Sequence, residues 1–188
     1  MSKSDYKKNS SETLILKAQN GDIKALEEII RREQKNVYAM FVHLIEKKED
    51  ISDLTQETLL KMAKNIKQLK EPKSFKYWLN RIVINVFYDY TNKKTHKIVE
   101  IDEKKFNEIK DKIGCEPGEK CIFSEIEKLI KATLMTLPKD LRITLILREF
   151  EGLSYEDIAQ LTNTALGTVK SRLSRARVKI QEELKEFI

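Results

Sequence analysis

Cysteine is almost missing from this chain: Cys115 and Cys121 are the two in 188 residues. Two cysteines exclude a disulfide framework, and neither has metal-ligating company nearby in sequence. They are close enough to meet if oxidised, but in a cytosolic chain a reduced, unreactive pair is expected. Proline and glycine are scarce, at three and five residues, and aromatics make up 7% against 35% charged residues. That balance favours an all-helical protein with modest cores. No apolar run approaches membrane-spanning length, and the N-terminus, MSKSDYKKNSS, has no apolar core of the signal-peptide type. The expectation is a cytoplasmic protein without membrane insertion. There is no Gly-rich phosphate loop, His43 and His96 stand alone, and the carboxylates lie on helix faces without partner spacing. No catalytic constellation, metal site or cofactor site is expected.

What the chain does have is positive charge, +6 overall, with an excess of one sign near the C-terminus. Residues 153–179, LSYEDIAQLTNTALGTVKSRLSRARVK, read as a helix-turn-helix. Ser154 followed by Asp157 is an N-cap signature: the hydroxyl accepts a free backbone N–H, and the carboxylate reaches back. Ile158, Ala159 and Leu161 give an apolar face, and small Ala159 admits a second helix. Asn163 accepts a left-handed backbone, and Thr164 is placed to cap the second helix. That helix, about 165–183, keeps Val169, Leu173, Ala176 and Ile180 on one stripe. Its other faces carry Lys170, Arg172, Arg175, Arg177 and Lys179, with no acidic residue before Glu182. A basic helix face can be mere solvated surface. Charge of one sign behind a docking turn favours a major groove instead.

The remaining chain divides into two helical lobes. Residues 1–10 are polar and read as disordered. Helical periodicity starts near Ser11, pauses at Asn20-Gly21-Asp22, and continues through Leu26, Ile29, Ile30, Val37, Phe41, Leu44 and Ile45. A charged break at 46–50 precedes a helix carrying Ile51, Leu54, Thr58, Leu59, Met62 and Ile66, followed by a loop with Pro72. Residues 74–90 are the most aromatic stretch. Trp78, Ile82, Val83, Val86 and Tyr90 share a stripe and are most simply core. Opposite stand Lys76, Asn80, Arg81 and Asn85, residue types that suit unstacked bases and their phosphates. Periodicity dissolves after Thr91 and resumes at Ile122, with Pro138 and Gly152 bounding a helix ahead of the helix-turn-helix. The plan is a domain at 11–92, a flexible linker at 93–121, and a domain at 122–188.

Two stretches carry a family resemblance. LPKDLRITLILREFEGLSYEDIAQLTNTALGTVKSRLSRAR, residues 137–177, resembles the promoter −35 domain of the extracytoplasmic-function sigma factors of bacterial RNA polymerase. DISDLTQETLLKMAKNIKQLKEPKSFKYWLNRIVINVFYDY, residues 50–90, resembles the same family's core-binding and −10 region, where a DLTQE-type helix precedes an FxxWLxRIxxN helix. The resemblance implies a transcription initiation factor, not an enzyme, serving a stress- or envelope-responsive gene set. It implies that Asp53, Leu54, Gln56, Glu57, Leu60 and Lys61 meet the clamp helices of the largest polymerase subunit, with a second contact to the flap of the second largest. Lys73, Lys76, Asn80, Arg81 and Asn85 are then the readers of the melted −10 strand. Thr168, Lys170, Ser171, Arg172, Ser174 and Arg175 face the −35 duplex. A cognate anti-sigma factor is a further implied partner. Departures are Asn163 where the family usually has glycine, Thr164-Ala165 in place of a Pro-containing pair, and Thr58-Leu59 for Val-Phe.

The competing reading is a free-standing helix-turn-helix regulator whose N-terminal lobe senses a ligand or dimerises, though the sequence offers neither a pocket signature nor a long heptad. A linker of about thirty residues spans roughly 30 Å as a flexible coil. Without polymerase the lobes are therefore expected to move independently or to collapse together, covering the recognition helix or the −10 reader.

Overall fold

The computed structural model describes residues 3–96 and 125–185. Nine α-helices run along them: α1 (Lys3–Lys8), α2 (Ser11–Gln19), α3 (Ile23–Leu44), α4 (Lys48–Asn65), α5 (Phe75–His96), α6 (Glu125–Thr136), α7 (Lys139–Glu149), α8 (Tyr155–Leu161) and α9 (Leu166–Lys185). Two 3-10 turns, Ile66–Gln68 and Pro72–Ser74, link α4 to α5. No strand occurs among the described residues, in agreement with the all-α expectation. Most of the expected linker, with Cys115 and Cys121, lies outside them; residues 93–96 prolong α5.

The first lobe is α1 to α5. Ser10 caps α2, its Oγ accepting from the Thr13 N–H at 3.2 Å. Gly21 turns the chain at φ +91°, a backbone that L side chains rarely adopt. Asp22 then caps α3, accepting from the Ala25 N–H at 3.1 Å. Leu14, Ile15, Phe41, Leu44, Ile51, Leu59, Met62, Ile84 and Phe87 are essentially sealed from solvent and form the centre of this lobe. Thr55 and Thr58 are buried on α4 without penalty, because their hydroxyls bond the carbonyls of Ile51 and Leu54. Helix α4 begins inside the expected charged break; Glu49 and Asp50 in its first turn complement the positive helix end.

Residues 3–8, expected to be disordered, are helical. The reason is one aromatic in a polar stretch. Tyr6 is buried, its hydroxyl donating to Asp22 Oδ2 at 2.9 Å. Arg32 donates to the carbonyls of Tyr6, Lys7 and Asn9, where the end of the short helix presents its acceptors. Glu28 holds Arg32 in place at 2.9 Å and also grips Arg31. These hydrogen bonds, Arg31's first, overcome burial and hold Glu28 at about 2.

The second lobe is α6 to α9, centred on Leu134, Leu137, Ile143, Ile146, Ile158, Val169, Leu173 and Ala176. Pro138 opens α7, and Gly152 at φ +67° turns the chain toward α8. Arg148 steadies that turn, donating to the Leu153 carbonyl at 2.7 Å.

The lobes touch: α3 packs on α6 and α7, and α5 meets α8. At this seam Arg142 donates to the carbonyl of Leu44 at 2.8 Å while also bonding those of Met135 and Leu137. His43 and Phe150 bring their rings to 4.3 Å. Lys139 reaches Asn92, and Tyr77 reaches Gln160. The lobes are thus in contact, yet Lys170 and Arg175 on α9 and Arg81 and Asn85 on α5 stay exposed.

Candidate nucleic-acid interface

The helix-turn-helix forms as its sequence dictates. Ser154 has extended backbone and its Oγ accepts from the Asp157 N–H at 3.0 Å, starting α8. Asn163 stands at φ +50°, the only non-glycine residue with positive φ among those described. Thr164 differs from expectation. Its hydroxyl pairs with that of Thr162 at 2.9 Å, and α9 opens from Ala165, whose carbonyl accepts from Thr168 and Val169. Val169, Leu173 and Ala176 are sealed against the lobe's core, which fixes which face of α9 turns outward.

That outward face is narrower in charge than the sequence implies. Lys170, Ser171, Ser174 and Arg175 are exposed, and Thr168 is half-buried beside them. Ser171 donates to the Thr168 carbonyl, and the Arg175 Nε to that of Ser171. Arg172 is different: its side chain is 15% exposed and its guanidinium lies 3.3 Å from Asp140 Oδ2. Arg177 is ion-paired to Glu149 at 2.7 Å, and Lys179 bonds the Thr136 carbonyl. Three of the five basic residues are therefore committed to packing α9 within its own lobe. The helical period alone could not separate them, because their partners lie two or three helices upstream.

The second candidate face is on α5 and the turn before it. Lys73, Lys76, Arg81 and Asn85 are exposed. Trp78 is half-buried rather than core, and it lines a cavity of about 310 Å³ together with Asn65, Gln68, Arg81, Ile82 and Asn85. The signal for this was present: positions 78, 81, 82 and 85 form one helical stripe, distinct from Val83 and Val86. An indole wall beside a guanidinium and three amides can stack a base and hydrogen-bond its edge. Asn80 is absent from this group. It is 3% exposed, with Nδ2 3.4 Å from Glu151 Oε2 across the seam, and the Lys76 Nζ lies 3.6 Å from the same oxygen.

The third is α4. Asp53 is exposed, while Gln56, Glu57, Leu60 and Lys61 are half-buried on the same flank. Leu54 belongs to the core at 6% exposure, because i to i+4 spacing sets it over Thr58 and it faces inward with Ile51. Lys61 bridges Glu57 at 2.8 Å and Asp89 at 3.5 Å, and the Glu57 bond holds its ammonium above the usual lysine range.

The sequence patterns did not point to Asp140, Glu151 or Tyr88. Asp140 Oδ1 accepts from the Tyr88 hydroxyl at 3.2 Å; burial, reinforced by this carboxylate, pushes that phenol up to about 12. Tyr88 and Asp140 are 52 residues apart and Asn80 and Glu151 are 71 apart, out of reach of any local pattern.

Among the described residues no cluster of His, Cys, Asp or Glu could hold a metal ion, and no helix is long and apolar enough to cross a membrane. Residues 29–97 match the sigma-70 region 2 family and residues 127–180 the sigma-70 region 4 family. The ECF RNA polymerase sigma-E factor of Haemophilus influenzae is 30% identical over 190 residues, covering 95% of this chain and 97% of that one. The RNA polymerase sigma-H factor of Pseudomonas aeruginosa is 31% identical over 183 residues, covering 93% and 94%. The sigma factor RpoE of Bartonella quintana, solved in complex with the anti-sigma factor NepR, superposes with a TM-score of 0.67 at 29% identity over 86% of this chain and 98% of that one. Two sigma-70 domains in order, with relatives matched over nearly their full length, establish that this chain belongs to the extracytoplasmic-function sigma factors, the transcription initiation factors of bacterial RNA polymerase.

Proposed function

We propose that the two lobes divide promoter recognition between duplex and single strand. Helix α9 enters the −35 major groove and reads it with Thr168, Lys170, Ser171, Ser174 and Arg175, while Arg172 joins them once it leaves Asp140. The observation that carries this is the outward face of α9, which presents hydroxyls and cations while its apolar stripe is sealed. Hydroxyls and guanidinium groups supply the donors that base edges and phosphates accept. The face of α5 takes the −10 strand after melting: Trp78 stacks, Arg81 and Asn85 bond base edges, and Lys73 and Lys76 neutralise phosphate. Asp53, Gln56, Glu57, Leu60 and Lys61 on α4 meet the clamp helices of core polymerase. Because it acts with polymerase, the cytoplasm is its place of work. An anti-sigma factor is a fitting partner, since the Bartonella quintana relative is captured with one.

Transcription in vitro with core polymerase over a genomic promoter library, with start sites mapped, tests the assignment. Initiation at a defined promoter class only when this chain is added is the expected result. Specific operator binding by the chain alone, indifferent to polymerase, would establish a free-standing regulator instead.

A further inference from the structure

Of the six residues that line the cavity beside Trp78, five stand on α4 or α5 and one, Gln68, stands on the 3-10 turn between them. A helix fixes its side chains through its own hydrogen-bond ladder, whereas a three-residue turn needs outside support to hold one position. Here the support comes from α2. The side-chain amide of Gln19, the last residue of α2, donates to the Ile66 carbonyl at 3.0 Å and to the Leu69 carbonyl at 2.6 Å. These carbonyls bracket Lys67 and Gln68, both exposed, while the side chains of Ile66 and Leu69 are buried. A primary amide has two N–H groups, and here both are spent on the two ends of one turn. The partners lie 47 and 50 residues further along the chain.

Gln19 does not itself line the cavity. Its own place is well set: it lies one helical turn beyond Ile15 and next to Ala18, both buried, and α2 ends there in the Gly21 turn and the Asp22 cap. We propose that Gln19 is a positioning residue of the −10 pocket, holding the 66–69 turn so that Gln68 keeps its place in the wall alongside Trp78, Arg81 and Asn85. This rests on the assignment of that face to single-stranded DNA. Without the amide, the Ile66 and Leu69 carbonyls turn to water and Gln68 stands in the wall for only part of the time. A base still stacks on Trp78, and phosphates still meet Lys73 and Lys76, so attraction to single strand persists. What falls is the share of chains competent to read a base edge, and apparent affinity falls with that share. Selectivity is lost first, which sets a positioning amide apart from a residue that only stabilises the lobe.

The test uses the full chain with core polymerase on the promoter library, together with fluorescence anisotropy on a fluorescein-labelled single strand carrying the −10 sequence that the unaltered chain selects. Gln19→Met keeps the length of the side chain and removes its donors. It should weaken binding to that strand about ten-fold, flatten base preference at one −10 position among the transcribed promoters, and leave −35 duplex binding as it was. Gln19→Lys, whose ammonium can donate to both carbonyls, should recover most of the preference; Gln19→Glu, which when ionised only accepts, should not. Circular dichroism follows the thermal stability of each variant. An unchanged preference in Gln19→Met, where Trp78→Ala alters it, overturns the proposal and leaves the DNA assignment intact. A preference that falls alike in the Met, Lys and Glu variants, in step with thermal stability, makes Gln19 a structural residue only and also overturns it. If Gln19→Met, Trp78→Ala and Arg81→Ala are all silent, the assignment of this face to DNA is wrong and the proposal falls with it.

Discussion

Ser154 and Asp157 bind each other twice: the Ser154 Oγ accepts from the Asp157 N–H at 3.0 Å and lies 2.7 Å from Oδ2 as donor. This pair fixes where α8 begins, and α8 fixes the angle at which α9 is presented. Ser154→Ala should lower the melting stability of the second lobe by about 1 kcal/mol, in the range for a lost N-cap. Thermal unfolding by circular dichroism measures it, and Ser154→Asp, which restores an acceptor, should recover most of the loss.

On α9 the exposed and the committed cations should separate cleanly. Lys170→Ala and Arg175→Ala should each weaken binding to a −35 duplex by about 1–3 kcal/mol if they reach base edges, and by less with a flatter salt dependence if they touch phosphate alone. Arg177→Ala, which breaks an exposed ion pair with Glu149, should change stability by under about 1 kcal/mol and leave sequence preference alone. Duplex titrations at two salt concentrations decide between these; equal defects in all three would refute the division of the face.

Base stacking on Trp78 should matter after melting and not before. Trp78→Ala should weaken single-strand −10 binding by about 1–3 kcal/mol per stacked base. Arg81→Ala and Asn85→Ala should slow open-complex formation, read by permanganate reactivity of −10 thymines with polymerase present, while −35 duplex binding stays intact. A pre-melted template that fully rescues all three would show that they act in melting alone and not in reading the strand.

Glu28 is held far below the ordinary glutamate value, from 4.5 to about 2, by Arg31 and Arg32. A carboxylate with a depressed folded value stabilises the fold above its unfolded value and loses that contribution as pH falls. The first lobe should therefore lose stability as pH falls from about 4.5 toward 2. Glu28→Gln should be less stable at neutral pH and show a flatter acid limb in urea titrations across that window. The same variant should loosen α1, seen as faster amide exchange near Tyr6, because Arg32 depends on Glu28 for its position.

Much of this architecture is legible in the sequence because it is locally encoded. Ser10, Asp22 and Ser154 cap helices from within one turn, Gly21 and Asn163 supply backbone only they tolerate, and the α9 stripe keeps its period. The rest is encoded at a distance. Tyr6 is a lone aromatic whose partners, Asp22 and Arg32, are 16 and 26 residues away, so its stretch reads as solvated. Asn80 shares a helix with Arg81 but faces the other lobe, and no pattern within α5 announces Glu151. Trp78 reads as core because a large aromatic on a helix is usually buried whole, whereas here Arg81 and Asn85 on its own stripe keep one side open.

The bond from Arg142 to the Leu44 carbonyl joins positions 98 apart in sequence. On a ribosome, which makes the chain from its first residue onward, α3 and α5 are finished well before α7 exists. For that interval Asn80 of the nascent first lobe has no Glu151 to meet, and the end of α3 awaits its arginine. A chain terminated prematurely after α5 is accordingly a different molecule from the complete one: it keeps Trp78, Arg81 and Asn80 but lacks Glu151, Asp140 and the duplex-reading helix that confers address. The contacts around Asn80 and Leu44 are therefore acquired late, once the second lobe has been made.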